Sequence, residues 1–144
     1  KDFIIDEKQI IRARNAGATV ILLIVAALSE ERLKELYDYA TELGLEVLVE
    51  THNLAELEVA HRLGAQIIGV NNRNLTTFEV DLQTSVDLAQ YFKDDCFYIS
   101  ESAIFTSQDA ERLAPYFNGI LVGTALMQAG DVAQRIKELQ IDKG

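Results

Sequence analysis

The 144-residue sequence has a single cysteine, Cys96, a single proline and no tryptophan. One cysteine cannot form an internal disulfide and offers no metal-ligand spacing, so we expect a reducing, cytoplasmic compartment. The longest apolar run, residues 20–28, is far shorter than the roughly 18 residues that a membrane-spanning helix requires. No signal peptide is recognisable in the sequence.

The sequence is also short of positive charge, with 13 Lys and Arg against 23 Asp and Glu and a net charge of −10. It contains no basic run or stripe, which argues against a nucleic acid or an anionic membrane as a partner. An anionic ligand would have to be held locally, by a few cations and by backbone dipoles. The length and the 49% of apolar residues are typical of one globular domain, so residues 1–144 are predicted to form a single domain.

Short apolar segments typical of strands alternate with segments whose apolar residues have helical spacing. Ser29, Asn53 and Thr106 precede three of the helical segments and are predicted to be their N-caps. Such alternation is the signature of parallel βαβ units. The six predicted strands are residues 3–5, 20–25, 46–51, 67–72, 97–101 and 120–122.

Two parallel architectures compete for this pattern, an open doubly wound sheet and a closed (β/α)8 barrel. An open nucleotide-binding sheet usually carries a glycine-rich fingerprint after its first strand, and the sequence lacks one. Polar residues instead follow nearly every predicted strand, at the edge where barrel enzymes carry their chemistry. The sequence therefore predicts an α/β fold of the (β/α)8 TIM-barrel type, with six of the eight βα units present. The polar positions are Asp6, residues 50–52, 71–73 and 100–102, and the pair Gly123-Thr124.

Six motifs, in one order and spacing, resemble indole-3-glycerol-phosphate synthase. They are residues 1–5 (Lys-Asp-Phe-Ile-Ile), 48–52 (Leu-Val-Glu-Thr-His), 68–75 (Ile-Gly-Val-Asn-Asn-Arg-Asn-Leu), 77–82 (Thr-Phe-Glu-Val-Asp-Leu), 100–104 (Ser-Glu-Ser-Ala-Ile) and 121–127 (Leu-Val-Gly-Thr-Ala-Leu-Met). The resemblance begins at the family's third barrel strand, so it implies that the chain is the C-terminal three-quarters of a barrel. It also implies an enzyme of tryptophan biosynthesis that closes the indole ring, with loss of carbon dioxide and water, on a small phosphorylated substrate.

The resemblance assigns roles to two groups that can move protons. Lys1 matches the family's strand-three lysine, the acid of the condensation step, although a first residue can equally be frayed and solvated. Glu50 lies at the C-terminal end of its predicted strand and matches a proton-transfer residue. Its alternative is a salt bridge at the barrel rim with no catalytic task.

Asn71 matches the family's substrate-binding asparagine and would hydrogen-bond substrate oxygens without adding charge. Arg73 could bind the substrate carboxylate through two parallel hydrogen bonds from its guanidinium group, or pair with a neighbouring acidic residue and order the loop. We expect Asn72 and Asn74 to shape the turn, since Asn tolerates unusual backbone angles. The family usually has Asp where Asn74 stands.

The resemblance places the substrate phosphate after the last two strands. Ser102 matches a residue near the phosphate and the glycerol hydroxyls, and Glu101, also in the substrate site, is expected to order polar neighbours. Gly123 and Thr124 begin a short helix whose N–H groups suit an anion. Ala103 departs from the glycine that is common in the family, and its methyl group disfavours positive φ.

No cofactor and no metal is implied. The two histidines, His52 and His61, have no third ligand nearby, and Cys96 is expected to be a buried structural thiol. Two alternatives stay open, another phosphate-binding barrel such as phosphoribosylanthranilate isomerase and a non-catalytic barrel fragment. Six strands cannot close a barrel of eight, so a chain of this extent is expected to be inactive alone and to self-associate through its open edges.

Overall fold

The structure is a computed structural model that describes residues 4–74, 77, 79–104 and 106–121. Strands and helices alternate along these residues. The strands are β1 (Val20–Ile24), β2 (Glu46–Thr51), β3 (Ile67–Asn71), β4 (Phe97–Glu101) and β5 (Gly119–Leu121). The helices are α1 (Glu7–Asn15), α2 (Glu30–Glu42), α3 (Leu54–Leu63), α4 (Gln83–Leu88) and α5 (Ser107–Leu113), with short 3-10 turns at Val25–Ala27 and Ala89–Tyr91.

The five strands form one sheet in the order of the sequence, β1-β2-β3-β4-β5. β1 and β2 are parallel, in a register that runs from Val20 opposite Glu46 to Ile24 opposite Glu50. β4 and β5 are also parallel, with Ile99 opposite Gly119. A doubly wound sheet reverses its strand order at a switch point, whereas a barrel keeps the sequential order. The described residues therefore form part of a (β/α)8 barrel, as the sequence predicts.

The chain divides into two compact units, residues 1–69 and 70–144, and the single-domain interpretation stays a prediction. In the first unit, α2 buries a stripe at Leu33, Leu36 and Ala40, the spacing of one helix face. Leu23 of β1 and Val49 of β2 are fully buried. The apolar run at residues 20–25 is buried from Ile21 onward except for the half-buried Leu22, while Val20 at the start of β1 is exposed.

The core of the second unit is aromatic where β4 begins. Tyr98 and Phe92 are stacked with ring centroids 3.6 Å apart, and Phe117 meets Phe92 edge to face at 5.1 Å. The hydroxyl of Tyr98 accepts a hydrogen bond from the backbone N–H of Lys93 at 2.8 Å, so the polar end of this buried ring is satisfied. Burial raises the pKa of Tyr98 to about 12.

The predicted N-caps are confirmed. The side chains of Ser29, Asn53 and Thr106 accept hydrogen bonds from the backbone N–H three residues later and begin α2, α3 and α5. Thr106 forms a full capping box with Asp109. Gly64 ends α3 in the left-handed conformation, with φ 84°, which glycine adopts without a steric penalty.

The first predicted strand, residues 3–5, is not found in the part of the chain that the structure describes. Ile4 and Ile5 lie outside any strand, and residue 3 lies outside the described residues. The backbone N–H of Ile5 donates instead to Oε1 of Gln9, beside the capping box in which Asp6 begins α1. Arg32 of α2 donates to the carbonyl of Ile5 and pairs with Glu7, whose pKa it lowers. The N–H and carbonyl of Ile5, which a strand would use for pairing, are therefore hydrogen-bonded to the side chains of Gln9 and Arg32. Asp6 is an N-cap rather than a strand-end residue.

None of the helices among the described residues is long and apolar enough to cross a membrane.

Candidate functional site

The end of β2 carries a buried carboxylate. Val47 and Val49 are buried on this strand, and burial continues through Glu50, whose exposed fraction is 5%, and Thr51. The hydroxyl of Thr51 donates to the carbonyl of Gly69 on β3 at 2.8 Å, which fixes the end of the strand. Carboxylates are seldom buried unless a partner is present, so the surroundings of Glu50 decide its chemistry.

His52 lies between Glu50 and Glu56, and we call these three residues the β2 cluster. Nε2 of His52 is 3.3 Å from Oε2 of Glu50, an ion-pair contact rather than a linear hydrogen bond. Nδ1 of His52 is 3.0 Å from Oε1 of Glu56, and the backbone N–H of His52 donates to the same oxygen at 3.0 Å. The ring therefore has a carboxylate oxygen beside each of its nitrogens.

The charge of the His52 ring follows from this placement. Burial by itself lowers the pKa of His52, because it penalises the charged form. The carboxylates of Glu50 and Glu56 outweigh burial and raise the pKa to about 9. At neutral pH the ring is an imidazolium, whose Nδ1–H meets Glu56 and whose positive charge lies beside the carboxylate of Glu50.

A second polar cluster connects the ends of β3 and β4. Asn72 is buried, and its amide Nδ2 donates to Oγ of Ser100 and to the carbonyls of Glu101 and Ser102, each at 3.0 Å. Its Oδ1 accepts from the backbone N–H of Ser85 at 3.1 Å and from the Ser85 hydroxyl at 2.7 Å. The two hydroxyls, of Ser85 and Ser100, are 2.7 Å apart. We call Asn72, Ser85 and Ser100 the Asn72 network.

The Asn72 network corrects the prediction for Asn72, which is a buried hydrogen-bonding centre rather than a turn former. Its partners come from residues 13 to 30 positions away. Asn74 does shape the turn, because its Oδ1 accepts from the backbone N–H of Thr77 at 3.1 Å.

Asn71 and Arg73 are half-buried, and Oδ1 of Asn71 accepts from the backbone N–H of Arg73 at 3.0 Å. An antiparallel bridge between Arg73 and Val80 fixes the backbone there.

Ser102 and Ala103 follow β4 in an unusual backbone conformation. Their φ values are 67° and 63°, and they are the only non-glycine residues with positive φ in the described part of the chain. Each such residue costs roughly 1–2 kcal/mol because Cβ approaches the following carbonyl oxygen. The carbonyl of Ser102 accepts from Asn72, so the network holds the strained turn. The methyl group of Ala103 therefore does lie where the backbone favours glycine.

Three predicted site residues, Lys1, Gly123 and Thr124, lie outside the described residues. Glu50 and Glu101 are both buried at strand ends, while Asn71, Arg73 and Ser102 are half-buried.

Cys96 is half-buried rather than buried, because it lies in the turn before β4 and contacts the Asp95 carboxylate. Burial still raises the pKa of the Cys96 thiol.

Sequence reasoning missed the role of His52, which it considered only as a metal ligand. The available signal was the spacing, since Glu50 lies two positions before His52 and Glu56 four positions after it. Among the described residues, no group of three His, Cys, Asp or Glu side chains is placed to hold a metal ion.

Comparison with known proteins gives a consistent result along the chain. The family model for indole-3-glycerol phosphate synthase matches residues 1–139. The indole-3-glycerol phosphate synthase of Streptococcus pneumoniae (strain Hungary19A-6) is 94% identical over all 144 residues, and that of strain CGSP14 is 93% identical. The chain spans 56% of the length of each of these relatives.

Two solved structures share the fold at low sequence identity. The 3-hexulose-6-phosphate synthase of Salmonella typhimurium has a TM-score of 0.78 at 16% identity, over 94% of this chain and 67% of that one. A structure described as native KDPGal has a TM-score of 0.66 at 17% identity, over 94% of this chain and 62% of that one. At such identities the likeness concerns the fold alone.

Proposed function

Since the chain belongs to the indole-3-glycerol phosphate synthase family, we propose that the full-length protein is a carboxy-lyase that closes the indole ring in tryptophan biosynthesis. It would convert 1-(2-carboxyphenylamino)-1-deoxyribulose 5-phosphate to indole-3-glycerol phosphate, carbon dioxide and water. The family match over residues 1–139 carries this proposal. The proposed compartment is the cytoplasm, which the single cysteine supports.

The proposed reaction needs an acid first. An acid protonates the substrate ketone while the aromatic carbon that bears the carboxyl group attacks it, and carbon dioxide then leaves. We assign this acid to Lys1, on the resemblance of residues 1–5 to the family's third strand. An ammonium group at a partly dry barrel mouth is a charged proton donor, and its surroundings can change how readily it gives up the proton.

A second proton transfer accompanies the loss of water, and we assign it to Glu50. Three observations support the assignment: Glu50 is the penultimate residue of a barrel strand, its side chain is buried, and a cationic ring lies 3.3 Å from its carboxylate. In barrel enzymes the C-terminal ends of the strands carry the catalytic groups. The alternative, a rim salt bridge with no catalytic task, predicts that loss of the Glu50 charge leaves turnover unchanged.

Binding is assigned to the ends of β3 and β4. Asn71 and Arg73 would hydrogen-bond the substrate oxygens and carboxylate, and Glu101 would order the polar groups beside them. The phosphate would lie near Ser102, Ala103, Gly123 and Thr124, with Ser102 also close to the glycerol hydroxyls. Support comes from the half-buried position of Ser102 and from its left-handed backbone, which a hydrogen bond from Asn72 fixes.

The proposal is tested in a full-length chimaera, in which these 144 residues replace the matching residues of the Streptococcus pneumoniae (strain Hungary19A-6) relative. We expect the chimaera to form the indole product, followed by its fluorescence, in the presence of a metal chelator and without any added cofactor. Phosphoribosylanthranilate serves as the second substrate, because an isomerase would consume it. Turnover of phosphoribosylanthranilate alone, or of neither substrate, contradicts the proposal.

A further inference from the structure

The β2 cluster is held from its far side by helix α3. Oε1 of Glu56 accepts hydrogen bonds from both the backbone N–H and the ring Nδ1 of His52. The amide of Asn53 donates to the other oxygen of Glu56 at 3.3 Å, and the backbone N–H of Glu56 donates back to Asn53 at 2.9 Å. These contacts join the first turn of α3 to the residue that follows β2. The orientation of the His52 ring is therefore fixed by local structure.

The fixed ring presents Nε2 to the carboxylate of Glu50. An unprotonated Nε2 would leave its lone pair close to a carboxylate oxygen, which lies 3.3 Å from the nitrogen, and this is repulsive. A proton on Nε2, as well as on Nδ1 where it meets Glu56, makes both contacts attractive. Side-chain exposure is 9% for His52 and 7% for Glu50, so water screens this pair poorly.

We propose that His52 is a positioning residue: fixed by Glu56, its protonated ring holds the carboxylate of Glu50 in the orientation that proton transfer requires. The inference rests on the proposed function, in which Glu50 transfers a proton. His52 itself acts through Glu50 and does not touch the substrate. A buried carboxylate without this cation would turn toward other partners or toward water, and a displacement of about 1 Å can cost a reaction roughly 10²-fold.

A double-mutant cycle in the full-length chimaera tests the proposal. His52→Gln keeps a polar side chain but cannot be a cation, and we expect it to lower kcat roughly 10- to 100-fold with little change in KM. In a Glu50→Gln background the same substitution should have almost no further effect, because the group that His52 positions is already gone. Equal losses in both backgrounds would mean that His52 has a general structural role, and would overturn the proposal.

His61→Gln is the matched control, since it changes the other histidine of the sequence, in the last turn of the same helix. It should keep kcat within about twofold of the parent. Glu56→Gln tests the far side of the cluster, because it retains an acceptor for Nδ1 but removes the charge. We expect a loss of kcat in the same direction as His52→Gln and smaller. A Glu56→Gln variant with unchanged kcat contradicts the role given to Glu56.

The protonation of the ring is measured independently of activity, by ¹⁵N NMR of the His52 nitrogens in the chimaera. Both nitrogens should be protonated at pH 7, and in Glu50→Gln the ring should lose its second proton at a lower pH. A neutral ring at pH 7 overturns the proposal even if Glu50→Gln is too slow to assay. A chimaera that turns over no substrate while its His52 is an imidazolium contradicts the proposed function but not the ion pair.

Discussion

Oε1 of Glu56 lies 3.0 Å from the backbone nitrogen of His52 and 3.0 Å from Nδ1 of its ring. One carboxylate oxygen thus fixes both the backbone and the side chain of the same residue. The contact joins the residue after strand β2 to helix α3, and a positive charge on the ring strengthens its pairing with the carboxylate.

We therefore predict that the β2 cluster makes stability depend on pH. The pKa of His52 is about 9 in the fold, against an ordinary value near 6.5 in the unfolded chain. Because the folded value is the higher one, the stabilisation is fully present below about pH 6.5 and is lost as the pH rises through about 9. We expect a loss of roughly 1–3 kcal/mol in the free energy of unfolding over this window.

Urea unfolding of the full-length chimaera at intervals from pH 6 to pH 9.5 measures this effect. The decrease should be absent or much smaller in His52→Gln, while His61→Gln should follow the parent protein. A parent and a His52→Gln variant with parallel pH profiles would show that the ring has no elevated pKa.

The Asn72 network leads to a second prediction. Asn72→Ala removes the acceptor of the Ser85 backbone N–H and hydroxyl, and the donor to the Ser100 hydroxyl and the Ser102 carbonyl. The two hydroxyls keep each other, and the Glu101 carbonyl keeps the backbone N–H of residue 72. Because buried polar groups without partners are costly, we expect the free energy of unfolding to fall by about 2–4 kcal/mol. Asn74→Ala is the control, since Asn74 is exposed and its side chain accepts a hydrogen bond from a backbone N–H three positions away; its cost should stay below about 1 kcal/mol. Similar losses in the two variants, measured by urea unfolding, would contradict the central role of Asn72.

The contrast between these two asparagines shows what the sequence can predict. Asn74 bonds within three positions, and Ser29 and Asn53 cap helices over the same distance, so local sequence reveals them. Asn72 bonds to Ser85 and Ser100, which the fold brings together from 13 and 28 positions away. No periodicity or spacing in the sequence encodes such a contact.

His52 and Ala103 are two further residues whose surroundings the sequence alone does not predict. The residues of the β2 cluster are close in sequence, but the turn at Asn53 that points Glu56 back at His52 appears only in the folded chain. For Ala103, the sequence revealed the steric conflict but not the backbone angle, which depends on contacts made by the preceding residue. The sequence thus nominates candidate residues, whereas the protonation of His52 and the backbone strain at Ala103 depend on contacts made in the fold.

The strain at Ala103 gives a third prediction. With φ at 63°, Ala103→Gly relieves a contact of Cβ with the backbone, and we expect the free energy of unfolding to rise by about 0.5–1 kcal/mol. Ala114→Gly, at an ordinary φ of −51°, should instead lower it by about 0.5–1 kcal/mol. If the methyl group also crowds the proposed phosphate site, Ala103→Gly should lower KM in the chimaera. An unchanged or raised KM would mean that the methyl group does not crowd the phosphate.

The proposed proton-transfer residues give a fourth prediction. Lys1→Ala and Glu50→Gln should each lower the turnover of the chimaera roughly 10²- to 10⁴-fold, the usual cost of losing a general acid or base, while the fold stays intact by circular dichroism. Glu46→Gln is the matched control for Glu50→Gln, because Glu46 is exposed at the opposite end of the same strand. Lys8→Ala, on the exposed surface of α1, is the control for Lys1→Ala. Turnover like that of the parent in Lys1→Ala or Glu50→Gln would remove that residue's assigned role.

The last prediction concerns a polypeptide of only these 144 residues, which spans 56% of the length of its curated relatives. Among the described residues the outermost strands of the sheet are β1 and β5. The resemblance implies that the rest of the barrel, with a further catalytic glutamate and lysine, lies in the part of the relatives outside the match. Open strand edges pair with other chains, and Val20 of β1 is already 47% exposed.

We therefore expect this polypeptide to sediment as a species larger than a monomer and to show no turnover. Burying one aliphatic side chain contributes about 1.5–3 kcal/mol, and a domain has only roughly 5–15 kcal/mol of stability, so self-association that covers a few such side chains is favourable. The remaining segment of the Streptococcus pneumoniae relative, added in trans, should reduce the self-association and restore measurable turnover, because it would cover the same edges and supply the missing groups. A compact monomer that is active alone would show that the 144 residues contain a complete site.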